Sequence, residues 1–279
     1  MTRPRQIRDR IGALDEIGEI LGAMKNLALM ELLKLHRLLD TQRRALKTIE
    51  AAVADLSASY LHEPPQQPYF DVDLIVGTER GFCGDLNETL VAAAEGIANE
   101  PGRMLVVGSR LADRLADKGV SATPVAGASV AEEIEQVLAK VVAALDSLQR
   151  ETGGGRLLRL TASYYDDETR AILKRRLTPI PDLPPPSPGF PYPPLLNMAP
   201  LDLFSRVLDQ YLYAMLHDVL YRALRAENQH RLVHMENALH HIEEDSARLR
   251  LRYNALRQEE ITEEIEIILL SAEAISAGR

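Results

Sequence analysis

The sequence predicts an α/β plus coiled-coil architecture: a small parallel-sheet domain inserted between long N- and C-terminal helices. Three observations predict it. The first 60 residues carry a sustained apolar seam, the middle alternates short β-rich runs with helical patterns, and the last third, from Arg231 to Ile268, contains neither Gly nor Pro. Nothing in that last run breaks a helix.

In the N-terminal segment, alternating steps of three and four run through Ile7, Ile11, Leu14, Gly18, Leu21, Lys25, Ala28, Leu32, Leu35, Leu39, Gln42, Leu46, Ile49, Val53, Leu56 and Tyr60. Only Gly18, Lys25 and Gln42 depart from an apolar pattern that suits a coiled-coil partner. A helix of this span is on the order of 80 Å long. The block His62 to Pro68 ends it, because proline cannot donate in the helical ladder and disfavours helix before it.

In the middle, strands are expected at Val72 to Thr78, Met104 to Gly108, Val120 to Val125 and Leu157 to Tyr165. Helical patterns at Leu86 to Ala98, Leu111 to Lys118 and Ala131 to Leu148 separate them, and that alternation argues for a parallel sheet. Gly153-Gly154-Gly155 reads as the turn before the fourth strand, and the Pro-rich stretch Pro179 to Pro194 as a surface loop. The expected divisions are 1–62, 69–195 and 196–279.

Helix resumes from about Pro200 to Ala277, with room for a joint near Glu227. Met235, Leu239, Ile242, Ser246, Leu249, Tyr253 and Leu256 keep the three-four step; Ile261, Ile265, Ile268, Ala272 and Ile275 keep it one residue out of phase. The slip across Arg257 to Glu260 turns the seam toward a different neighbour. Beyond it, Ile265, Ile267, Ile268, Leu269 and Leu270 leave the helix apolar on most sides, so a surrounding partner is expected.

The formal net charge of −9 argues against nucleic acid as a main partner. One cysteine, Cys83, excludes an intramolecular disulfide and suits a reducing compartment. The charged start lacks the apolar core of a secretory signal, and no apolar run approaches the roughly 20 residues of a membrane helix. Within this acidic chain, Lys25, Lys34, Arg37, Arg43, Arg44 and Lys47 near the start, and Arg231, Arg248, Arg250, Arg252 and Arg257 near the end, form basic helix faces. They read either as solvated faces interleaved with Glu or as the sleeve of a shaft that slides within an acidic collar.

Other motifs carry less chemistry. The turn Gly77 to Asn87 stands where phosphate-binding loops sit, yet it is neither GxGxxG nor GxxxxGK[ST], and reads as a tight strand-to-helix turn. Cys83 has no histidine near it in sequence and reads as a buried structural thiol. His230 and His234 share a helix face at i, i+4 without a third zinc ligand, and read as a solvated face. No catalytic, cofactor or metal residue is expected.

Three groups of residues resemble the gamma subunit of rotary ATP synthases. The C-terminal helix matches at Glu227, Arg231, Met235, Tyr253, Asn254, Arg257, Gln258, Ile261, Thr262 and Glu264. Glu79-Arg80-Gly81-Phe82-Cys83-Gly84-Asp85-Leu86-Asn87 resembles the family's DRGLCGGLN, and Ile7-Arg8, Ile11, Ile20 and Ala23-Met24 echo its N-terminal pattern.

The resemblance implies a non-catalytic rotor, with a Rossmann-like base domain and the terminal helices paired as an antiparallel coiled coil. Its tip would enter a ring of alpha and beta subunits, and the base would meet the epsilon subunit and the membrane c-ring. It would sit peripherally on the cytoplasmic face of the bacterial inner membrane. The same resemblance gives ring contacts to Met24, Lys25, Arg231, Arg257, Gln258, Thr262, Glu264, Ile265 and Ile268, with Arg257 and Gln258 as a catch on one beta subunit. Departures stand at Ile267, at Leu196-Asn197-Met198 and at Leu21-Gly22, which suggests a variant machine. A nucleotide-binding α/β domain and a homodimeric coiled-coil scaffold are the competing readings.

Overall fold

A computed structural model describes residues 4–60, 68–95, 103–151, 157–180 and 195–277, with side chains from Arg5 to Ser271 within those spans. In chain order the elements are α1 (Pro4–Tyr60), β1 (Tyr69–Val76), α2 (Leu86–Glu95), β2 (Met104–Val107), α3 (Ser109–Asp117), β3 (Thr123–Val125), α4 (Ile134–Glu151), β4 (Leu157–Asp166), β5 (Ala171–Thr178) and α5 (Pro200–Ala277). A short 3-10 turn, Ala131–Glu133, leads into α4. Most of the block 62–68, the glycines 153–155 and the bulk of the Pro-rich stretch lie outside the described residues, as do the side chains of Ala272 and Ile275.

The sheet order is β3-β2-β1-β4-β5. The first four strands pair in parallel, and β5 runs antiparallel to β4 at the edge. This corrects the expectation of a purely parallel sheet. Ala171 to Thr178 reads AILKRRLT, and its three consecutive cations hide the period-two pattern of a strand. The third strand is also shorter than expected, and α4 begins after the 3-10 turn rather than at Ala131.

The alternation of side chains across the pleat sorts the core into two layers. Val72, Leu74 and Val76 of β1, with Leu105 and Val107 of β2, face α4 and segments of α1 and α5. Ile75, Met104 and Val106 point the other way, onto Leu86 and Leu90 of α2 and Leu111 and Leu115 of α3. Parallel strands buried on both faces should read as near-continuous apolar runs; β2, MLVV, does so throughout, and β1 does from Leu74 to Val76, after the exposed Asp71 and half-buried Asp73.

Two compact units result: Ala28–Leu232, which holds the sheet, and residues 1–27 with 233–279. Each helix runs through its whole span, and α5 has no break near Glu227. In the second unit the two helix segments run antiparallel, since Asp15 pairs with Arg250 and Lys25 lies beside Glu236.

The three exceptions in the α1 seam have local causes. Gly18 sits against Ile242, Lys25 approaches the Glu236 carboxylate at 3.8 Å, and Gln42 donates to the Ala214 carbonyl at 2.8 Å. Every other seam position is buried or half-buried. Among the described residues, no helix is long and apolar enough to cross a membrane.

Gly108, between β2 and α3, has φ 109°, and a Cβ there would stand 2.7 Å from the Thr78 carbonyl oxygen and 2.9 Å from Gly77. Gly119 also has positive φ, at 73°, but open space around it. Gly108→Ala should therefore cost about 1–3 kcal/mol in backbone strain plus a clash with main chain that cannot yield. Urea denaturation should find it clearly more destabilising than Gly119→Ala.

Candidate functional site

The turn after β1 is where the family-like motif lies, and buried charge from α5 holds it. Glu227 is 2% exposed and its carboxylate accepts the backbone N–H groups of Glu79 and Arg80, each at 3.2 Å. On the next helical turn Arg231 donates to Glu227 and to Asn228 Oδ1, and its guanidinium reaches Cys83 Sγ at 3.7 Å. Burial pushes the Glu227 carboxyl up, while Arg231 and the two amides act against that shift. The i, i+4 spacing of Glu227 and Arg231 is what puts both on the face turned toward the turn.

The same turn fills its own anion site. The Glu79 carboxylate accepts the N–H of Ser109 at 2.8 Å, at the start of α3, the Ser109 hydroxyl at 2.9 Å, and the Gly127 N–H at 2.7 Å. A helix N-terminus beyond a parallel strand is where an α/β fold would receive a phosphate. Here the chain supplies the negative charge. Thr78 and Asn87 brace the turn from below through two mutual hydrogen bonds.

Cys83 is buried, and its thiol is pushed up to about 12, first by desolvation and then by the Glu227 carboxylate. It is a structural thiol, with no means of forming a thiolate near neutral pH. Phe82, in contrast, stands exposed at the tip of the turn with φ 65°.

Of the residues the sequence marks for ring contacts, Arg231 is placed differently. It lies inside the sheet-bearing unit, committed to Glu227 and Asn228, so its charge is spent on an internal pair rather than offered to a collar. Several cations of the expected sleeve are likewise paired within the chain: Lys34 with Glu132, Arg43 with Glu168, Arg248 with Asp245 and Arg250 with Asp15.

Arg257, Gln258 and Glu264 are exposed, and the exposed Thr262 turns its hydroxyl back to the Gln258 carbonyl at 2.8 Å. Met24 and Lys25 are half-buried. Ile261, Ile265, Ile267, Ile268, Leu269 and Leu270 are 46% to 66% exposed, a cluster too apolar for an isolated soluble helix. His230 packs edge-on against Tyr165 with ring centroids 5.0 Å apart, whereas His234 is exposed; no group able to hold a metal occurs among the described residues.

Sequence reasoning missed a second charged cluster. Asp166 at the end of β4, with Asp167 and Glu168 of the turn that follows, meets Arg222 and Arg225 of α5. Glu168 Oε1 also accepts from Arg43 of α1 at 2.5 Å. The Arg43 bond, with help from Arg225, holds the Glu168 carboxyl down at about 2. An acidic triplet followed by the basic triplet Lys174-Arg175-Arg176 was the available signal of a charged hairpin.

Two measurements test these clusters. Removing one partner of the buried pair, by Glu227→Leu or Arg231→Met, should cost about 3–5 kcal/mol, because the survivor is left uncompensated. The double variant should lose much less than the sum, as read by a denaturation cycle. For Glu168 the folded-state value lies below the ordinary 4.5, so its stabilisation is full above 4.5 and fades as pH falls toward 2. Glu168→Gln should thus be less stable than the parent at neutral pH, with the two acid-denaturation curves converging near pH 2.

Comparison with known proteins places this geometry. The ATP synthase family profile matches residues 3–275. The ATP synthase gamma chain of Caldanaerobacter subterraneus subsp. tengcongensis is 25% identical over 303 residues, covering 96% of this chain and 98% of its own. That of Bdellovibrio bacteriovorus is 24% identical over 295 residues, covering 99% of each. Among solved structures, the rotor of Euglena gracilis mitochondrial ATP synthase superposes with a TM-score of 0.58 at 15% identity, over 92% of this chain and 98% of the other. A chain of the OSCP/F1/c-ring assembly from the same organism gives 0.60 at 17% identity, over 99% and 95%. These structural likenesses bear on the fold, and the profile, which spans nearly the whole sequence, decides the membership: the chain belongs to the ATP synthase gamma-chain family.

Proposed function

We propose that this chain is the central rotor of a bacterial F-type ATP synthase, coupling rotation of a membrane ring to ATP synthesis or hydrolysis in a ring of alpha and beta subunits. The end-to-end match to gamma chains carries the reading. The chain has no catalytic role of its own; catalysis belongs to the beta subunits. The self-filled turn at Glu79 weighs against a nucleotide-binding α/β domain, since its helix N-terminus is already occupied by a carboxylate.

The finer division follows from the same reading. Segments 1–62 and 196–279 form an antiparallel coiled coil, and 69–195 is a Rossmann-like base that meets the epsilon subunit and the c-ring. The exposed aliphatic cluster from Ile261 to Leu270 is the part the catalytic ring encloses, because burial in an apolar bearing removes that surface from water. Met24, Lys25, Arg257, Gln258, Thr262, Glu264, Ile265 and Ile268 face that ring. Arg257 and Gln258, exposed just where the apolar phase slips, act as the catch on one beta subunit. Arg231 acts from within, through Glu227 and the turn it holds. The complex lies peripherally on the cytoplasmic face of the inner membrane.

Co-expression with alpha and beta subunits of the same organism tests the reading. One copy of this chain should co-purify with three of each in an assembly that hydrolyses ATP, whereas stable homodimers without those partners would favour a scaffold. Arg257→Glu with Gln258→Leu should lower ATP turnover of the assembly on the order of tenfold, equivalent to about 1.4 kcal/mol of barrier. Turnover equal to the parent's would remove the catch assignment.

A further inference from the structure

We infer that the β4–β5 hairpin is the joint through which torque passes between the sheet and the two long helices, an inference that rests on the rotor reading above. Two hairpin residues each hold both helices at once. Glu168, in the turn, accepts from Arg43 of α1 at 2.5 Å and from Arg225 of α5 at 2.9 Å, both on the same carboxylate oxygen. Arg175, on β5, approaches Glu50 of α1 and Asp218 of α5, each at 3.6 Å. One is an acid between two bases and the other a base between two acids, so the two bridges have opposite polarity.

The distinction between apolar and ionic contact decides why these bridges matter under load. The apolar layer that packs α1 and α5 on the sheet is non-directional, and sliding by a fraction of a residue costs it little surface. The two charge-assisted hydrogen bonds on Glu168 lose most of their strength when distance or angle changes, so they resist shear, and the Arg175 ion pairs at 3.6 Å add a Coulombic tie between the same two helices. The surroundings stiffen them further. Asp218 is 1% exposed and Arg225 is 7% exposed, so water screens those ends poorly. Asp166, also 1% exposed, anchors the turn by accepting the Thr169 N–H at 3.0 Å and pairing with Arg222 at 3.2 Å. A strand at the edge of the sheet, antiparallel to its neighbour, is thereby tied to both helices, although nothing about pairing within the sheet requires it.

Glu168→Gln and Arg175→Gln, singly and together, test the joint in the assembled complex with its alpha and beta subunits. The angular variance of a bead attached to the α/β region is measured while the motor is stalled, alongside unloaded ATP turnover. Each single variant should raise the variance about twofold, because each removes one of two ionic ties common to both helices. Unloaded turnover should stay near the parent's. Arg159→Gln, which breaks a pair with Asp71 inside the sheet, serves as the control and should leave the variance unchanged.

Unchanged variance in Glu168→Gln, or an equal rise in the Arg159→Gln control, would overturn the joint while leaving the rotor intact. A parent complex that assembles but does not turn would overturn the rotor reading and the joint with it. Glu168 is partly exposed, so its variant carries the test even if the double variant fails to fold.

Discussion

The fold depends on buried charge along α5 that is answered partly by neighbours on the same helix and partly by the sheet and its turns. Two long helices lie against one sheet, and acids and bases on their contact faces must find partners or remain unfavourably buried. Glu227 meets Arg231 and two backbone amides; Asp218 meets Arg222 and Arg175; Asp166 meets Arg222. Each of these carboxylates is almost wholly buried. The helices are therefore located on the sheet by pairs with direction, and the apolar layer supplies cohesion. This is a different solution from a small α/β enzyme, where buried charge is concentrated around a ligand.

What the sequence made legible was local periodicity. The α1 seam from Ile7 to Tyr60 is the buried stripe the structure shows, and the seam of α5 from Met235 to Leu256 is buried or half-buried throughout. Parallel strands β1, β2 and β4 were readable because each is a short β-rich segment bounded by turn residues, and β2 and the end of β1 are buried apolar runs. β5 was not, because Lys174, Arg175 and Arg176 interrupt its alternation, and Lys174 and Arg175 find their partners far away in sequence. The same limit applies to the candidate site. The motif from Glu79 to Asn87 and the residues Glu227 and Arg231 could each be read alone, but nothing in one dimension said that Glu227 caps the amides of Glu79 and Arg80. The burial of Arg231 was unreadable for this reason: a cation at a helical spacing looks solvated until its counter-charge is located.

The C-terminal part of α5 shows how one helix can serve two environments. Up to Leu256 its apolar positions answer to a neighbouring helix segment, and after the phase slip they turn toward water. The helix itself continues unbroken across the slip, so the change shows in which side chains are covered. Arg257 and Gln258 stand exposed at that change.

The carboxylate of Glu79 has a consequence for a protein that works among nucleotides. The start of α3, beyond a parallel strand, is a position where an α/β fold can receive a phosphate. By seating the Glu79 carboxylate at that helix start, the chain answers the exposed backbone N–H groups with a charge of its own, and the position where a ligand anion would bind becomes a fixed brace of the fold.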